Sequence, residues 1–119
     1  MPVFPVRTLT RTETYAEKLR AALTRRDPAV RDFFDLDYAV ERLGLELNDL
    51  GLLECLRAKL RVPGNPAIDI TEDRFRKLEV QLESRLRPVL REQDYQMFDL
   101  NRAFALAVQL ATAVSEIKG

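Results

Sequence analysis

Two short runs near the start of the chain carry the side chains most able to do chemistry. Glu17-Lys18-Leu19 lies on one predicted helix, and Arg31-Asp32-Phe33-Phe34-Asp35-Leu36 lies on the next. A lysine and an aspartate held on adjacent helices can together handle phosphate and metal. Around them stand further cations, Arg20, Arg25, Arg26 and Arg31. Arg25 and Arg31 are the candidate phosphate ligands besides Lys18. The cluster Arg20, Arg25 and Arg26 also has a simpler use, because cations near a helix C-terminus complement the helix dipole.

Composition removes several alternatives. The 119 residues include no histidine and one cysteine, Cys55. Without histidine there is no Ser-His-Asp triad and no base for a cysteine nucleophile, and a zinc site has too few ligands. Metal chemistry would rest on carboxylates, and so on magnesium or manganese. Cys55, inside Leu52-Leu53-Glu54-Cys55-Leu56, reads as a small packed hydrophobe, and a lone cysteine fits a reducing, cytoplasmic setting. Lysine plus arginine balances aspartate plus glutamate, 19 against 19, so the overall charge has no footprint for duplex nucleic acid or an anionic membrane. No apolar run approaches the roughly 20 residues of a membrane-spanning helix, and Met1 to Val6 is too short for a secretory leader.

The elements that must position these residues are mainly helical. Residues 1–9, with two prolines and weak alternation, predict a short N-terminal extended strand. Residues 10–119 predict one helical domain of about five helices. Thr10 and Glu13 form a capping box for the first, with Ala16, Leu19 and Leu23 as its apolar stripe and Asp27-Pro28 after its end. The second starts near Pro28 and ends at Leu43-Gly44. The third follows Asn48 as cap, with Leu52, Leu53, Leu56 and Leu60 facing inward. Pro63-Gly64-Asn65-Pro66 is a loop. Thr71 caps the fourth, which carries Phe75, Leu78, Leu82 and Leu86 until Pro88 ends or kinks it. The last runs from about Asp99 to Ile117.

The second helix has an unusual pattern. Phe33, Leu36, Ala39, Val40 and Leu43 share one face, and Val30, Phe34 and Tyr38 share another. Arg31, Asp35 and Arg42 form a charged row between them. A helix apolar on both sides of such a row is covered on both sides, which places the charges in a partly closed groove. The simpler account of Arg31 and Asp35 is an i,i+4 ion pair, and that of Lys18 is a solvated lysine. Asp35-Leu36-Asp37 spells Asp-x-Asp, but on a helix alternate residues diverge by about 200°, so the two carboxylates cannot share one metal.

The run from Ala16 to Arg26, followed by Arg31-Asp32-Phe33-Phe34-Asp35-Leu36, resembles the C-terminal half of the AbiEii/AbiGii-type nucleotidyltransferases, a family that includes prokaryotic toxins of abortive-infection toxin–antitoxin systems. There a Glu-Lys-Leu/Ile helix precedes an Arg-Asp-x-x-Asp-Leu/Ile helix. The resemblance is strong over about residues 14–43 and looser toward the C-terminus. It implies that Lys18 contacts nucleotide phosphates and that Asp35 acts at the catalytic centre, with Arg31 and Asp32 as the motif's opening pair.

The family also carries, upstream, a Gly-Ser-type phosphate-binding motif and an Asp-x-Asp strand that binds the metal, and the 119 residues show neither. The resemblance therefore implies the helical half of a split or truncated enzyme, inactive alone. It would need no cofactor by itself, and magnesium and a nucleoside triphosphate once upstream or partner-supplied motifs complete the site. The implied partners are a chain carrying the catalytic strands, a second copy of this chain, or an antitoxin, with RNA an acceptor only in the active form. The alternatives are a non-catalytic interaction or oligomerisation domain derived from that family, and a degraded remnant.

Overall fold

The computed structural model describes residues 11–116. The extended strand expected over residues 1–9 and the Thr10 half of the capping box lie outside the described residues. Six α-helices follow in order: α1 (Arg11–Thr24), α2 (Val30–Arg42), α3 (Leu50–Leu60), α4 (Glu72–Glu79), α5 (Glu92–Met97) and α6 (Leu100–Glu116). A π-helical turn over Leu82–Leu86 and a 3-10 turn over Arg87–Val89 join α4 to α5. Among the described residues the chain is all helix and connection, as expected of a mainly α domain, and no helix is long and apolar enough to cross a membrane.

Helix α1 packs against α3 on one side and α2 on the other, and α2 packs in turn on α6. The α1 stripe is fully used: Ala16, Leu19 and Leu23 are 0%, 2% and 0% exposed. Phe33, Leu36 and Ala39 of α2 are buried on the main face, and Val30 and Phe34 on the second, so α2 is covered on both sides as its pattern requires. Leu43 departs from its stripe. It is 48% exposed, because it sits at the C-cap, where the chain leaves the bundle. Gly44 takes a φ of +75° there, a left-handed conformation that costs glycine little, and lets the Leu45 N–H return to the Ala39 carbonyl at 2.9 Å. Phe104 of α6 stacks on Phe33 at 6.0 Å and meets Phe75 of α4 edge-on at 5.2 Å, which closes the core beneath α4.

Two boundaries differ from expectation. The α3 cap is Asp49, one residue after Asn48, and its Oδ2 accepts from the Leu52 N–H at 2.9 Å. Both residue types cap well, and the carboxylate adds a favourable charge at the positive helix end. Helix α5 has no sequence signature, since six residues are too few for a periodic stripe and no side chain caps it. Tertiary contacts hold it instead. Asp94 pairs with Arg42 at 3.0 Å, and Tyr95 donates to Glu83 Oε2 at 3.3 Å. Thr71 does cap α4, accepting from the Arg74 N–H at 3.3 Å. Pro88 does end the fourth helical segment: the helix widens, with the Arg87 N–H reaching back to the Leu82 carbonyl, then tightens into the 3-10 turn at the proline. Cys55 is half-buried against the core, where it packs as a small hydrophobe.

Candidate functional site

Sequence spacing placed Lys18 and Asp35 on different helices, and the fold brings them together. Lys18 Nζ lies 3.4 Å from Asp35 Oδ2, and Arg31 Nε lies 3.4 Å from Asp35 Oδ1. Asp35 thus stands between two cations, one from α1 and one a turn earlier on its own helix. Its side chain is one-quarter exposed, whereas those of Lys18 and Arg31 are each more than half exposed. An ammonium has three N–H donors and a guanidinium five, so both cations keep donors toward solvent after meeting one carboxylate.

These three side chains line an open groove of about 280 Å³ with Tyr15, Phe34, Tyr38, Ala39 and Leu43. The charged row on α2 is split within it. Arg42 turns away from Asp35 to Asp94 at 3.0 Å, with its guanidinium 4.9 Å over the Tyr38 ring. Asp94 holds the Arg42 proton more tightly than an isolated guanidinium would. Arg25, the other expected phosphate ligand, lies outside the groove lining and donates to Asp32 Oδ2 at 2.9 Å. Burial raises the Asp32 carboxyl above its usual pKa, and the Arg25 charge offsets part of that rise. Arg20 is engaged with Glu17 at 2.9 Å and with Asn65 at 3.3 Å.

The donor set does not fit a resident metal ion. Among the described residues no three histidine, cysteine, aspartate or glutamate side chains gather in a way that could hold one. Asp35 and Asp37 diverge around the helix as the geometry demands. Asp37 is buried on the side toward α6, where Arg102 grips it with Nε at 2.7 Å and Nη2 at 2.8 Å. What the groove can do is hold an anion at Lys18 and Arg31 and present the Asp35 carboxylate beside it.

The supports of this site were less visible in the sequence. Arg74 of α4 is 2% exposed, and its guanidinium donates to the Ala22 carbonyl at 2.7 Å and the Arg25 carbonyl at 2.9 Å. The Asp69 N–H takes the Leu23 carbonyl at 2.8 Å. The end of α1, which has no glycine cap, is therefore closed by residues roughly fifty positions away. Gln81 does the same for the start of α2, accepting from the Val30 N–H at 2.8 Å and donating to the Pro28 carbonyl at 2.7 Å. Arg74, one turn before Leu78, and Gln81, beside Leu82, lie at the edge of the apolar stripe, where a side chain reaching to solvent is the default reading. Only the docking of α4 and the π turn reveals their partners. Tyr15 carried no signal as a site residue, while Tyr38 was legible as part of the second apolar face of α2.

Fold and groove together define an all-helical domain that presents a lysine–aspartate–arginine cluster on adjoining helices. The chain belongs to the family described as nucleotidyl transferase AbiEii toxin, type IV TA system, which it matches over residues 1–109. Comparison with curated proteins gave no match, and comparison with solved structures gave none either.

Proposed function

We propose that this chain is the helical part of a toxin–antitoxin nucleotidyltransferase, in which Lys18 and Arg31 hold the phosphates of a nucleoside triphosphate and Asp35 positions or deprotonates the acceptor. The observation that carries the reading is the convergence of Lys18, Arg31 and Asp35 in one groove from two helices. A nucleotidyl transfer passes charge onto phosphoryl oxygens, and positioned cations stabilise that charge. The carboxylates that hold magnesium come, in this reading, from upstream sequence or from a partner chain, because the described residues lack such a set. RNA is the acceptor class, and an antitoxin is the regulatory counterpart.

Titration calorimetry of the chain with a nucleoside triphosphate tests this. Lys18→Ala should weaken binding at least about ten-fold, the loss of one charge-assisted contact of about 1.5–3 kcal/mol. Binding that is absent, or that ignores Lys18→Ala, defeats the reading.

A non-catalytic interaction domain is the second reading, favoured by one observation. Asp35 already has two cationic partners and needs no ligand to be satisfied. Self-association in sedimentation, unchanged by Asp35→Ala, supports that reading, and a strictly monomeric chain that binds nucleotide counts against it.

A further inference from the structure

The groove has a second chemistry besides its charges. Tyr15 and Leu43 form the wall it shares with a cleft beside the α2–α3 connection, and Phe34 and Tyr38 form the wall it shares with a cleft toward α5. Two borders of the groove therefore carry aromatic rings, and the phosphate-competent Lys18 and Arg31 line the same groove. Both tyrosines are half-buried, so neither is fully occupied by the core. Each is also steadied by an arginine outside the cluster. Arg11 lies 5.7 Å over the Tyr15 ring and Arg42 lies 4.9 Å over the Tyr38 ring. Phe34 backs Tyr38 at 5.8 Å. Basic donors interleaved with aromatic rings form the pairing that grips a nucleotide, with phosphate on the cations and base on a ring face.

We infer that Tyr15 and Tyr38 form the base-stacking walls of this groove, which takes one nucleotide unit with its phosphate at Lys18 and Arg31. The inference rests on the phosphate-binding role proposed for those two cations and adds what recognises the rest of the ligand. A volume of about 280 Å³ lies just below the usual range for ligand pockets, about 300–1,000 Å³, and leaves room for at most a single nucleotide rather than a strand. The same unit can be a free nucleoside triphosphate or the terminal nucleotide of an RNA.

The test uses the full 119-residue chain in magnesium-free buffer, with three probes: inorganic tripolyphosphate, each of the four ribonucleoside triphosphates, and a 5′-phosphorylated trinucleotide. At least one nucleotide probe should bind about ten-fold or more tighter than tripolyphosphate, since stacking contributes about 1–3 kcal/mol per base. Tyr15→Leu and Tyr38→Leu should each remove much of that gain and leave tripolyphosphate binding unchanged. Tyr38→Phe, which keeps the ring, should retain it, and circular dichroism establishes that each variant is folded. Tighter binding of the trinucleotide than of every triphosphate assigns the groove to RNA ends, and the reverse assigns it to the free triphosphate. Nucleotides that bind no better than tripolyphosphate, or tyrosine variants that bind them as well as the parent, overturn the inference while leaving the phosphate site standing. Tripolyphosphate binding that ignores Lys18→Ala defeats the phosphate reading on its own. No binding by any probe overturns both.

Discussion

Replacing Arg102 with methionine should destabilise the domain without disturbing the groove. The pair it breaks is nearly ideal: Arg102 donates from Nε and Nη2 to the two oxygens of Asp37, and a third donation reaches the Met97 carbonyl at 3.1 Å. Asp37 holds the Arg102 proton well above the ordinary guanidinium affinity. The Asp37 side chain is only 7% exposed, and that of Arg102 is 39% exposed. Removing one partner of a buried pair costs about 3–5 kcal/mol. Water that enters where Arg102 reached the surface recovers part of this, so about 2–3 kcal/mol is expected. For a chain of this size that is a fall in Tm of about 8–12 °C. Asp37→Leu should cost less, because the freed guanidinium can turn to solvent, and the double variant should regain much of the loss. Thermal and urea unfolding of the four proteins then gives a coupling energy, expected at about 1.5 kcal/mol or more. A coupling below about 0.5 kcal/mol would show that the two charges stabilise nothing jointly and refute the reasoning. Nucleotide binding by the folded variants should be unchanged, since Asp37 faces α6 and Asp35 faces the groove.

Three further outcomes follow from individual contacts. Arg74→Met should lower stability by about 2–3 kcal/mol, because the Ala22 and Arg25 carbonyls lose their donors, and hydrogen exchange should rise first at the end of α1. Relief of the buried charge offsets some of this, so a variant as stable as the parent would mean that desolvation of Arg74 outweighs its two bonds. Asp69 is held below its usual pKa, chiefly by the Thr71 hydroxyl that donates to it. A carboxyl depressed by folding contributes stability above its unfolded pKa of about 3.9 and loses it as pH falls through the lower folded value. Asp69→Asn should therefore cost under about 1 kcal/mol at neutral pH, given its exposure, and progressively less as pH falls below the unfolded pKa toward the depressed folded one; a difference constant with pH excludes the charge as its source. Asp35→Asn should strengthen tripolyphosphate binding about three- to ten-fold by releasing Lys18 and Arg31 from a competing anion, and weaker binding would show that the carboxylate organises the cations instead.

The contrast between what the sequence exposed and what it hid has a physical cause. Stripes such as Ala16, Leu19 and Leu23, or Phe33 and Leu36, repeat at the helical period and are read without knowing any partner. The charged row on α2 was legible for the same reason, because apolar residues on both sides of it can only mean cover on both sides. Its division was not legible, since Arg42 leaves Asp35 for Asp94 on a six-residue helix that has no period of its own. Likewise, only a place one turn before Leu78 separates Arg74 from the solvated Arg76, and that place names no partner. The difference is set by α1 ending without a glycine or a cationic last turn, so that its carbonyls need donors and α4 supplies them. The Lys18–Asp35 groove depends on that arrangement. The residues of α1 and α2 that form it sit on helices whose facing ends are tied by Arg74, Asp69 and Gln81. Strain or loss at those ties should therefore be felt at Asp35, although none of the three touches the groove. The candidate groove was readable from α1 and α2 alone, while the contacts that tie the facing ends of those helices come from residues 69–81.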